Sequence, residues 1–265
     1  MLETLIPDLQ VVRRSRAIAA DYCRSRLQII AGTPGNPRHA EVRQFGTAFA
    51  LRAPPFGPHV FNRAYGFTDD QIDEAGEAVS WYADGGVPGS FEITPGSTTT
   101  KLVRLLQEHG YRQSGFHATF GALLNPPTAA SGAVQVRRVE SGEDLSAFSD
   151  AYHLGWSIDA FRVPMADWPK APGWSLYIGL VDGRAAGAAI LYLKGDDAYL
   201  ADGAVPPQFR RHGVHGALLD RRCVDAANSG ARMVFSGAEF LSGSHRNMIR
   251  KGLGLLYTET IWTKG

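Results

Sequence analysis

The sequence predicts a mixed α/β (α+β) chain with two tandem domains, each holding a mixed, mostly antiparallel sheet flanked by helices. Three observations support this prediction. In the second half, hydrophobic patterning orders the elements as strand, helix, three strands, helix, strand, helix and strand, which combines hairpins with crossover connections. The segment 125–133, NPPTAASGA, has paired prolines and no large apolar side chain, which is typical of a linker. The two halves also end in the same pattern.

The composition agrees with two globular domains. The chain has 265 residues, of which 44% are hydrophobic and 20% are charged. This length suits two domains of ordinary size, and this hydrophobicity excludes intrinsic disorder. The net charge of +1 gives the whole molecule no reason to bind nucleic acid or an anionic membrane. The basic residues are 22 Arg and 5 Lys, so we expect a GC-rich bacterial gene.

Cysteine usage and the N-terminal residues indicate the compartment. Cys23 and Cys223 belong to no metal-binding spacing. The N-terminus is charged and lacks the apolar stretch of a signal peptide, and no run of 18 apolar residues exists to span a membrane. We therefore expect a cytoplasmic protein with no metal site and no membrane partner.

The elements of the second half follow from alternation, turns and caps. Ser141 and Asp144 have the spacing of a capping box and predict the start of a helix. A second helix is predicted at 214–228, and a third begins at Ser244 and stops at Gly252. Strands are predicted at 134–139, 174–181, 185–193, 198–205, 231–235 and 255–263.

The first half has weaker patterns of the same kind. Helices are predicted at 9–28, 68–81 and 99–109, and strands at 47–53, 90–94 and 117–124. A helix that stops at Gly110 before a last strand parallels the helix that stops at Gly252 before another last strand. We therefore interpret the halves as a degenerate tandem repeat, with one domain at 1–126 and the other at 133–265.

The residues that suggest chemistry follow the strand that ends at Val205. The sequence over 205–219 reads VPPQFRRHGVHGALL, so a strand, a basic turn and a helix succeed one another. The free N–H groups and the positive dipole end of a helix start attract anions. Gly213 and Gly216 let a phosphate approach the backbone, and Arg210 and Arg211 add positive charge. The sequence therefore predicts an anion site at this turn.

This turn resembles the acyl-CoA loop of the GNAT superfamily of N-acyltransferases, where Gln/Arg-x-x-Gly-x-Gly/Ala follows the fourth strand and opens a helix. Arg210, Gly213 and the Ala-Leu-Leu at 217–219 match that pattern, while His215 stands at the second glycine position. The segment 244–253, SHRNMIRKGL, is similar to the family's final helix and the glycine that ends it. The resemblance covers the second half, and it reaches the first half only through the repeat.

The resemblance implies two tandem GNAT-like domains, of which the second binds acetyl-CoA as cosubstrate. Its pyrophosphate would lie on the amides of the loop, and its pantetheine would lie between two sheet strands that splay apart. The implied cofactor-binding residues are Ala204, Val205, Arg210, Arg211, His212, Gly213, Val214, His215, Gly216 and Asn247. The first domain has no Arg-x-x-Gly loop at the corresponding place, so it would be a degenerate copy without cofactor.

The resemblance also implies that an amine attacks the bound thioester directly while a base removes its proton. Asp202, on the strand before the loop, and Glu239, after a later strand, are the candidate catalytic residues. Each of them can equally be structural, as a hydrogen-bonded strand-end carboxylate or a solvated loop acid. The family's tyrosine acid lies four residues before the closing glycine, where this chain has Met248, and Tyr199 and Tyr257 are the candidate substitutes.

The predicted function is N-acetyl transfer from acetyl-CoA to a primary amine of an unidentified small molecule, by a monomer or a homodimer. Two alternatives stay open. One is a non-catalytic protein that keeps the fold and the CoA site, which the absent tyrosine favours. The other is a GNAT-like acyltransferase that uses another acyl carrier, such as aminoacyl-tRNA, which the histidine in the loop allows. A tRNA is thus the one nucleic-acid partner that these considerations leave open.

Overall fold

The computed structural model describes residues 2–56, 61–125, 134–157 and 162–264. The chain divides into two compact units. The C-terminal unit comprises Met1–Asp8 and Ala118–Leu256, and the N-terminal unit comprises Leu9–His117 and Tyr257–Gly265. The last strand of each half therefore contributes residues to the unit of the other half. The domain bounds 1–126 and 133–265 stay a prediction, because the linker between them, apart from Asn125, lies outside the described residues.

The helices in the described ranges are α1 (Leu9–Ala31), α2 (Ile72–Asp84), α3 (Thr100–Glu108), α4 (Gly142–Trp156), α5 (Val214–Asn228) and α6 (Gly243–Arg250). The strands are β1 (Leu2–Thr4), β2 (Glu41–Phe45), β3 (Ala48–Arg52), β4 (Arg63–Tyr65), β5 (Ser90–Ile93), β6 (Tyr111–Leu124), β7 (Gln135–Arg138), β8 (Trp174–Val181), β9 (Arg184–Lys194), β10 (Asp197–Ala204), β11 (Met233–Glu239) and β12 (Gly254–Lys264). None of the described helices combines the length and the apolarity that crossing a membrane requires.

The sheet of the C-terminal unit has the strand order β6-β11-β10-β9-β8-β7, and β1 pairs with β6 in antiparallel fashion. β10 and β11 run parallel, whereas β7, β8, β9 and β10 form antiparallel pairs in succession. Side chains of strands and helices form its core, with Phe120, Tyr177, Leu218 and Val234 among them. This is the mixed, mostly antiparallel sheet with helices that the sequence predicts.

Two glycines place the start of α5 on this sheet. Gly179 of β8 and Gly187 of β9 lie opposite each other. A Cβ atom would lie 2.8 Å from Val214 Cγ1 if added at Gly179, and 2.6 Å if added at Gly187. Glycine at this pair therefore leaves the room that the first residue of α5 occupies, and the two glycines of β8 and β9 fix where the helix begins.

The sheet of the N-terminal unit has the order β2-β3-β4-β5-β12. β4 and β5 are parallel, and the pairs β2–β3, β3–β4 and β5–β12 are antiparallel. Aromatic side chains dominate its core, namely Phe45, Phe67, Trp81, Tyr82, Phe91 and Tyr111. Each unit thus contains a parallel pair next to antiparallel ones, while the tandem repeat itself stays a prediction.

The predicted elements differ from the structure mainly at their ends. β8 and α5 confirm the predictions at 174–181 and 214–228. The strand expected at 231–235 is β11, which continues to Glu239. The last short helix is capped by Ser242 and not by Ser244, because the Ser242 hydroxyl accepts the N–H of His245. β1, β2 and β4 have no counterpart among the predicted strands, since each is short and lacks clear alternation.

Candidate functional site

The parallel strands β10 and β11 separate partway along their length. Their paired register ends at Tyr199 opposite Phe235, although both strands continue beyond this point. Immediately after the last pair, Ser236 Oγ donates to the carbonyl oxygen of Leu200 at 2.7 Å, so a side chain replaces the next backbone donor. We call the diverging part of the two strands the strand opening.

A β-bulge bends β10 at the strand opening. The register of β10 with β9 shifts between Ala201 and Ala204, and Asp202 has a φ of +45°. A positive φ is uncommon outside glycine, although aspartate tolerates it better than most residues. The hydroxyl of Tyr152 on α4 donates to Asp202 Oδ2 at 2.8 Å. The bulge and this hydrogen bond together hold the Asp202 carboxylate at the strand opening.

A buried arginine of α5 stabilises the same strands. Arg222 is 1% exposed, and its Nη1 donates to the carbonyl oxygens of Ile190 at 2.8 Å and Ala201 at 3.0 Å. These carbonyls face each other on β9 and β10, directly before the bulge. A bulge interrupts the backbone ladder, and buried carbonyl groups need a donor. The guanidinium supplies that donor, so Arg222 fixes the backbone from which Asp202 extends.

The predicted anion site lies at the start of α5. Gly213 is the N-cap, has a φ of +79° and provides no side-chain cap. The first helical hydrogen bond runs from Ala217 N–H to Gly213 O at 3.0 Å, so the N–H groups at 214–216 have no acceptor within the helix. A Cβ at Gly213 would approach only Val134 Cγ2, at 4.0 Å. The space in front of these N–H groups is therefore open to a phosphate-sized anion.

Positive side chains precede this helix start. Arg210, Arg211 and His212 are exposed, and in the part of the chain that the structure describes neither arginine forms an ion pair with a carboxylate. Arg210 Nε donates to the Val205 carbonyl oxygen at 3.3 Å, which ties the turn to the end of β10. Two guanidinium groups thus add charge to the turn whose N–H groups and dipole already favour an anion.

Four of the predicted cofactor-binding residues contact protein atoms closely. Ala204 and Val205 lie under α4, since a Cβ at Gly155 would be 2.8 Å from Ala204 Cβ. The side chain of Val214 is buried in the core, so only its backbone is available to a ligand. A Cβ at Gly216 would lie 2.9 Å from Cε of Lys251, the residue that follows α6. The flexible Lys251 side chain therefore covers Gly216.

His215 is turned toward α6. Its Nε2 lies 3.3 Å from Ser244 Oγ, and its Nδ1 lies 3.4 Å from Asn247 Nδ2. Burial, and to a smaller extent the nearby Arg222 guanidinium, lower its pKa to about 4. The imidazole is therefore neutral at physiological pH and adds no positive charge to the anion site.

Glu239, Met248 and Tyr257 are the remaining predicted residues, and they lie in different surroundings. Glu239 is exposed and ends β11, so it belongs to a strand and not to a loop. Met248 is 3% exposed and packs into the core. Tyr257 belongs to the N-terminal unit, where its hydroxyl lies 2.9 Å from Ser15 Oγ. The carboxyl ends of β10 and β11 thus carry both candidate bases, and the place of the family's tyrosine holds a thioether that cannot donate a proton.

Sequence reasoning missed three residues of this site. Tyr152 holds Asp202, Arg222 holds the bulged strand, and Ser244 contacts His215. A signal for Arg222 exists in the sequence, because it lies four residues after Leu218 on the buried face of α5. An arginine at a core position of a helix indicates a buried hydrogen-bond network. Tyr152 and Ser244 carry no comparable signal, since their partners come from distant elements.

In the N-terminal unit, the turn between β4 and α2 also follows the first strand of a parallel pair, and its side chains include carboxylates. A cavity of about 450 Å³ lies there, and Asp70 and Glu74 are among its lining residues while no arginine or lysine is. In the same unit, Arg63 Nη1 of β4 lies 3.5 Å from Glu92 Oε2 of β5. Acidic lining repels phosphate.

Among the described residues, no group of three or more His, Cys, Asp or Glu side chains is placed to hold a metal ion.

Comparison with known proteins shows the fold. No family model and no curated protein matches the sequence. A GCN5-related N-acetyltransferase from Sphaerobacter thermophilus is 17% identical with a TM-score of 0.63, covering 100% of this chain and 95% of its own. One from Kribbella flavida is also 17% identical, with a TM-score of 0.62, and the likeness covers 93% of this chain and 95% of that one. The C-terminal domain of a candidate lysylphosphatidylglycerol synthetase from Agrobacterium fabrum is 12% identical, with a TM-score of 0.55. This likeness covers 96% of this chain and 91% of that one.

These likenesses span nearly the whole of each chain. They confirm the fold that the loop at 205–219 predicts: the chain has the fold of the GCN5-related N-acetyltransferases. At such identities a likeness fixes the architecture and not the chemistry. The roles of the individual site residues stay predictions.

Proposed function

We propose that this chain, which has the GCN5-related N-acetyltransferase fold, transfers an acetyl or other acyl group from acyl-CoA to a primary amine. One observation carries the proposal: in the C-terminal unit, the bare N–H groups at the start of α5 lie directly after the strand that diverges from its parallel neighbour. The first feature suits the pyrophosphate of CoA, and the second suits its extended pantetheine arm.

The residues present fit this cosubstrate. Gly213 leaves open space at the helix start, and Arg210 and Arg211 supply charge for the phosphate groups. The thioester of acyl-CoA supplies an electrophilic acyl carbon. The N-terminal unit lacks a basic turn at the corresponding place and has the carboxylates of Asp70 and Glu74 there instead. We therefore expect one CoA per chain.

Asp202 is the residue we assign as general base. An alkyl ammonium is almost fully protonated at neutral pH and must lose a proton before its nitrogen can attack. Tyr152 and the bulge fix the Asp202 carboxylate, whereas Glu239 is exposed. Asp202 takes that first proton, the neutral nitrogen attacks the acyl carbon, and the nitrogen loses its second proton to solvent as the tetrahedral intermediate collapses to the amide and the C–S bond breaks. The sulfur leaves as a thiolate, which takes a proton from solvent because Met248 has none to give.

The experiment is a scan of primary amines for release of free thiol from acetyl-CoA. Asp202→Asn should lower the rate on an active amine by roughly 10²- to 10⁴-fold, the usual contribution of a general base. Glu239→Gln is the matched control and should keep the wild-type rate. The wild-type rate should rise with pH through one ionisation and show no descending limb from a tyrosine. Equal rates in all three proteins would contradict the assignment of Asp202, and CoA binding without turnover on any amine would favour a binding protein.

A second candidate donor follows from the position of His215. The imidazole replaces the small residue of the acyl-CoA loop pattern and lies against Gly203 of β10 and Ser244 of α6. An acyl carrier of another kind, such as aminoacyl-tRNA, is the alternative, and the domain of a candidate lysylphosphatidylglycerol synthetase shares this fold. Titration with aminoacyl-tRNA beside acetyl-CoA separates the two donors, because only the true donor should bind.

A further inference from the structure

His215 connects the two sides of the strand opening. On one side, its ring packs against Gly203 of β10, where an added Cβ would lie 3.1 Å from Nε2. On the other side, Ser244 and Asn247 belong to α6, the helix that follows β11, and they lie 3.3 and 3.4 Å from the ring nitrogens. The side chain therefore lies between the diverging part of β10 and the helix that follows β11. The absence of a side chain at Gly203 is what makes room for it.

The hydrogen bonds around the ring define its tautomer. Arg250 Nη1 donates to Asn247 Oδ1 at 2.7 Å, which turns the amide nitrogen of Asn247 toward His215. Nδ1 of His215 is therefore the acceptor, and Nε2 carries the hydrogen that it donates to Ser244 Oγ. A neutral ring with one donor and one acceptor matches both partners, and a protonated ring would place a donor against the Asn247 amide.

We infer that His215 is a latch that closes the strand opening, and that an acyl donor enters only when the imidazole leaves Ser244 and Asn247. The inference rests on the proposed function, because it takes the strand opening as the path of the donor. At 3.3 and 3.4 Å both hydrogen bonds are longer than optimal. The latch is therefore weak enough to be displaced by a ligand, and it sets the apparent affinity of the site through the fraction of open molecules.

Titration calorimetry of acetyl-CoA with the full chain tests the latch. His215→Ala should bind acetyl-CoA roughly tenfold more tightly than the wild type, the change expected when two weak hydrogen bonds no longer oppose entry. Ser244→Ala keeps the imidazole but removes one partner, so a smaller gain of roughly threefold is expected. His109→Ala, at an exposed histidine of the N-terminal unit, is the matched control and should leave the affinity unchanged.

Imidazole NMR signals of the wild type give a readout that does not depend on the variants. They should show the Nε2–H tautomer of His215 without ligand and should shift on saturation with acetyl-CoA. Equal affinity in His215→Ala and the wild type would overturn the latch while leaving the proposed function intact. Weaker binding by His215→Ala would also overturn it, because the imidazole would then be a ligand of the donor. If neither the wild type nor any variant binds acetyl-CoA, the proposed function fails, and the latch fails with it.

Discussion

Replacing the buried Arg222 of α5 by methionine should destabilise the C-terminal unit strongly. Methionine is unbranched and flexible, so it fills the volume of the arginine stem. It removes the Nη1 donor that Ile190 O and Ala201 O now share. Each lost hydrogen bond from the charged guanidinium to a buried carbonyl costs about 1.5–3 kcal/mol, so we expect a loss of about 4 kcal/mol in the free energy of unfolding.

Urea denaturation followed by tryptophan fluorescence and circular dichroism measures this loss. The matched control is Arg221→Met, one residue earlier on the same helix, where Arg221 pairs with Asp225 at 3.0 Å near the surface. A half-buried ion pair of this kind contributes about 0–1 kcal/mol, and the hydrogen bond from Arg221 Nη1 to Val136 O at 3.1 Å adds about 1 kcal/mol, so the control should lose at most about 2 kcal/mol. A loss below about 1 kcal/mol for Arg222→Met, or equal losses in the two variants, would refute the role of Arg222 in holding the bulge.

Three further predictions concern titration and packing. Because the pKa of His215 is lowered from 6.5 to about 4, its contribution to stability is complete above pH 6.5 and is lost as the pH falls to about 4. Between pH 7 and pH 4, the free energy of unfolding of the wild type should therefore fall by about 3 kcal/mol more than that of His215→Ala, as measured in urea titrations. Burial and the charge of Glu259 raise the pKa of Glu92 to about 7. The contribution of Glu92 to stability is therefore complete below pH 4.5 and is lost as the pH rises through 7. Glu92→Gln should raise the melting temperature at pH 8 but not at pH 4, and an equal shift at both pH values would count against this reasoning. Gly187→Ala would place a Cβ 2.6 Å from Val214 and should cost about 1–3 kcal/mol, whereas the control Gly76→Ala, inside α2 with nothing within 4 Å, should be neutral or stabilising in the same denaturation assay.

The elements that the sequence predicts well are those with a strong local signal. β8 and α5 have long apolar patterns and clear ends, and their bounds are confirmed. The anion-binding character of the turn before α5 can also be predicted from a short segment of sequence, because a basic, glycine-containing turn between a predicted strand and a predicted helix is typical of such sites. The structure agrees by leaving the N–H groups at 214–216 without helical acceptors.

What the sequence could not predict depends on contacts between distant residues. The residues of β6 and of β12 are divided between the two units. No local sequence pattern indicates this, because both strands alternate as ordinary final strands do. The hydrogen bond from Tyr152 to Asp202 joins residues 50 positions apart, and the bulge at Asp202 needs a positive φ in a residue that is not glycine. The direction of the His215 ring likewise depends on α6, which no pattern within 205–219 reveals.

The start of α5 as the phosphate site of an acyl-CoA is the central claim, and a calorimetric titration of acetyl-CoA into Gly213→Asp and Gly213→Asn tests it most directly. Both side chains tolerate the positive φ at this position, and they are nearly equal in size, so they differ in charge alone. An added carboxylate near a phosphate costs about 1–4 kcal/mol. We predict that Gly213→Asp binds roughly 10- to 1,000-fold more weakly than Gly213→Asn, with a gap that narrows at high salt. Equal affinities of the two folded variants would show that the phosphates lie elsewhere and would contradict the claim.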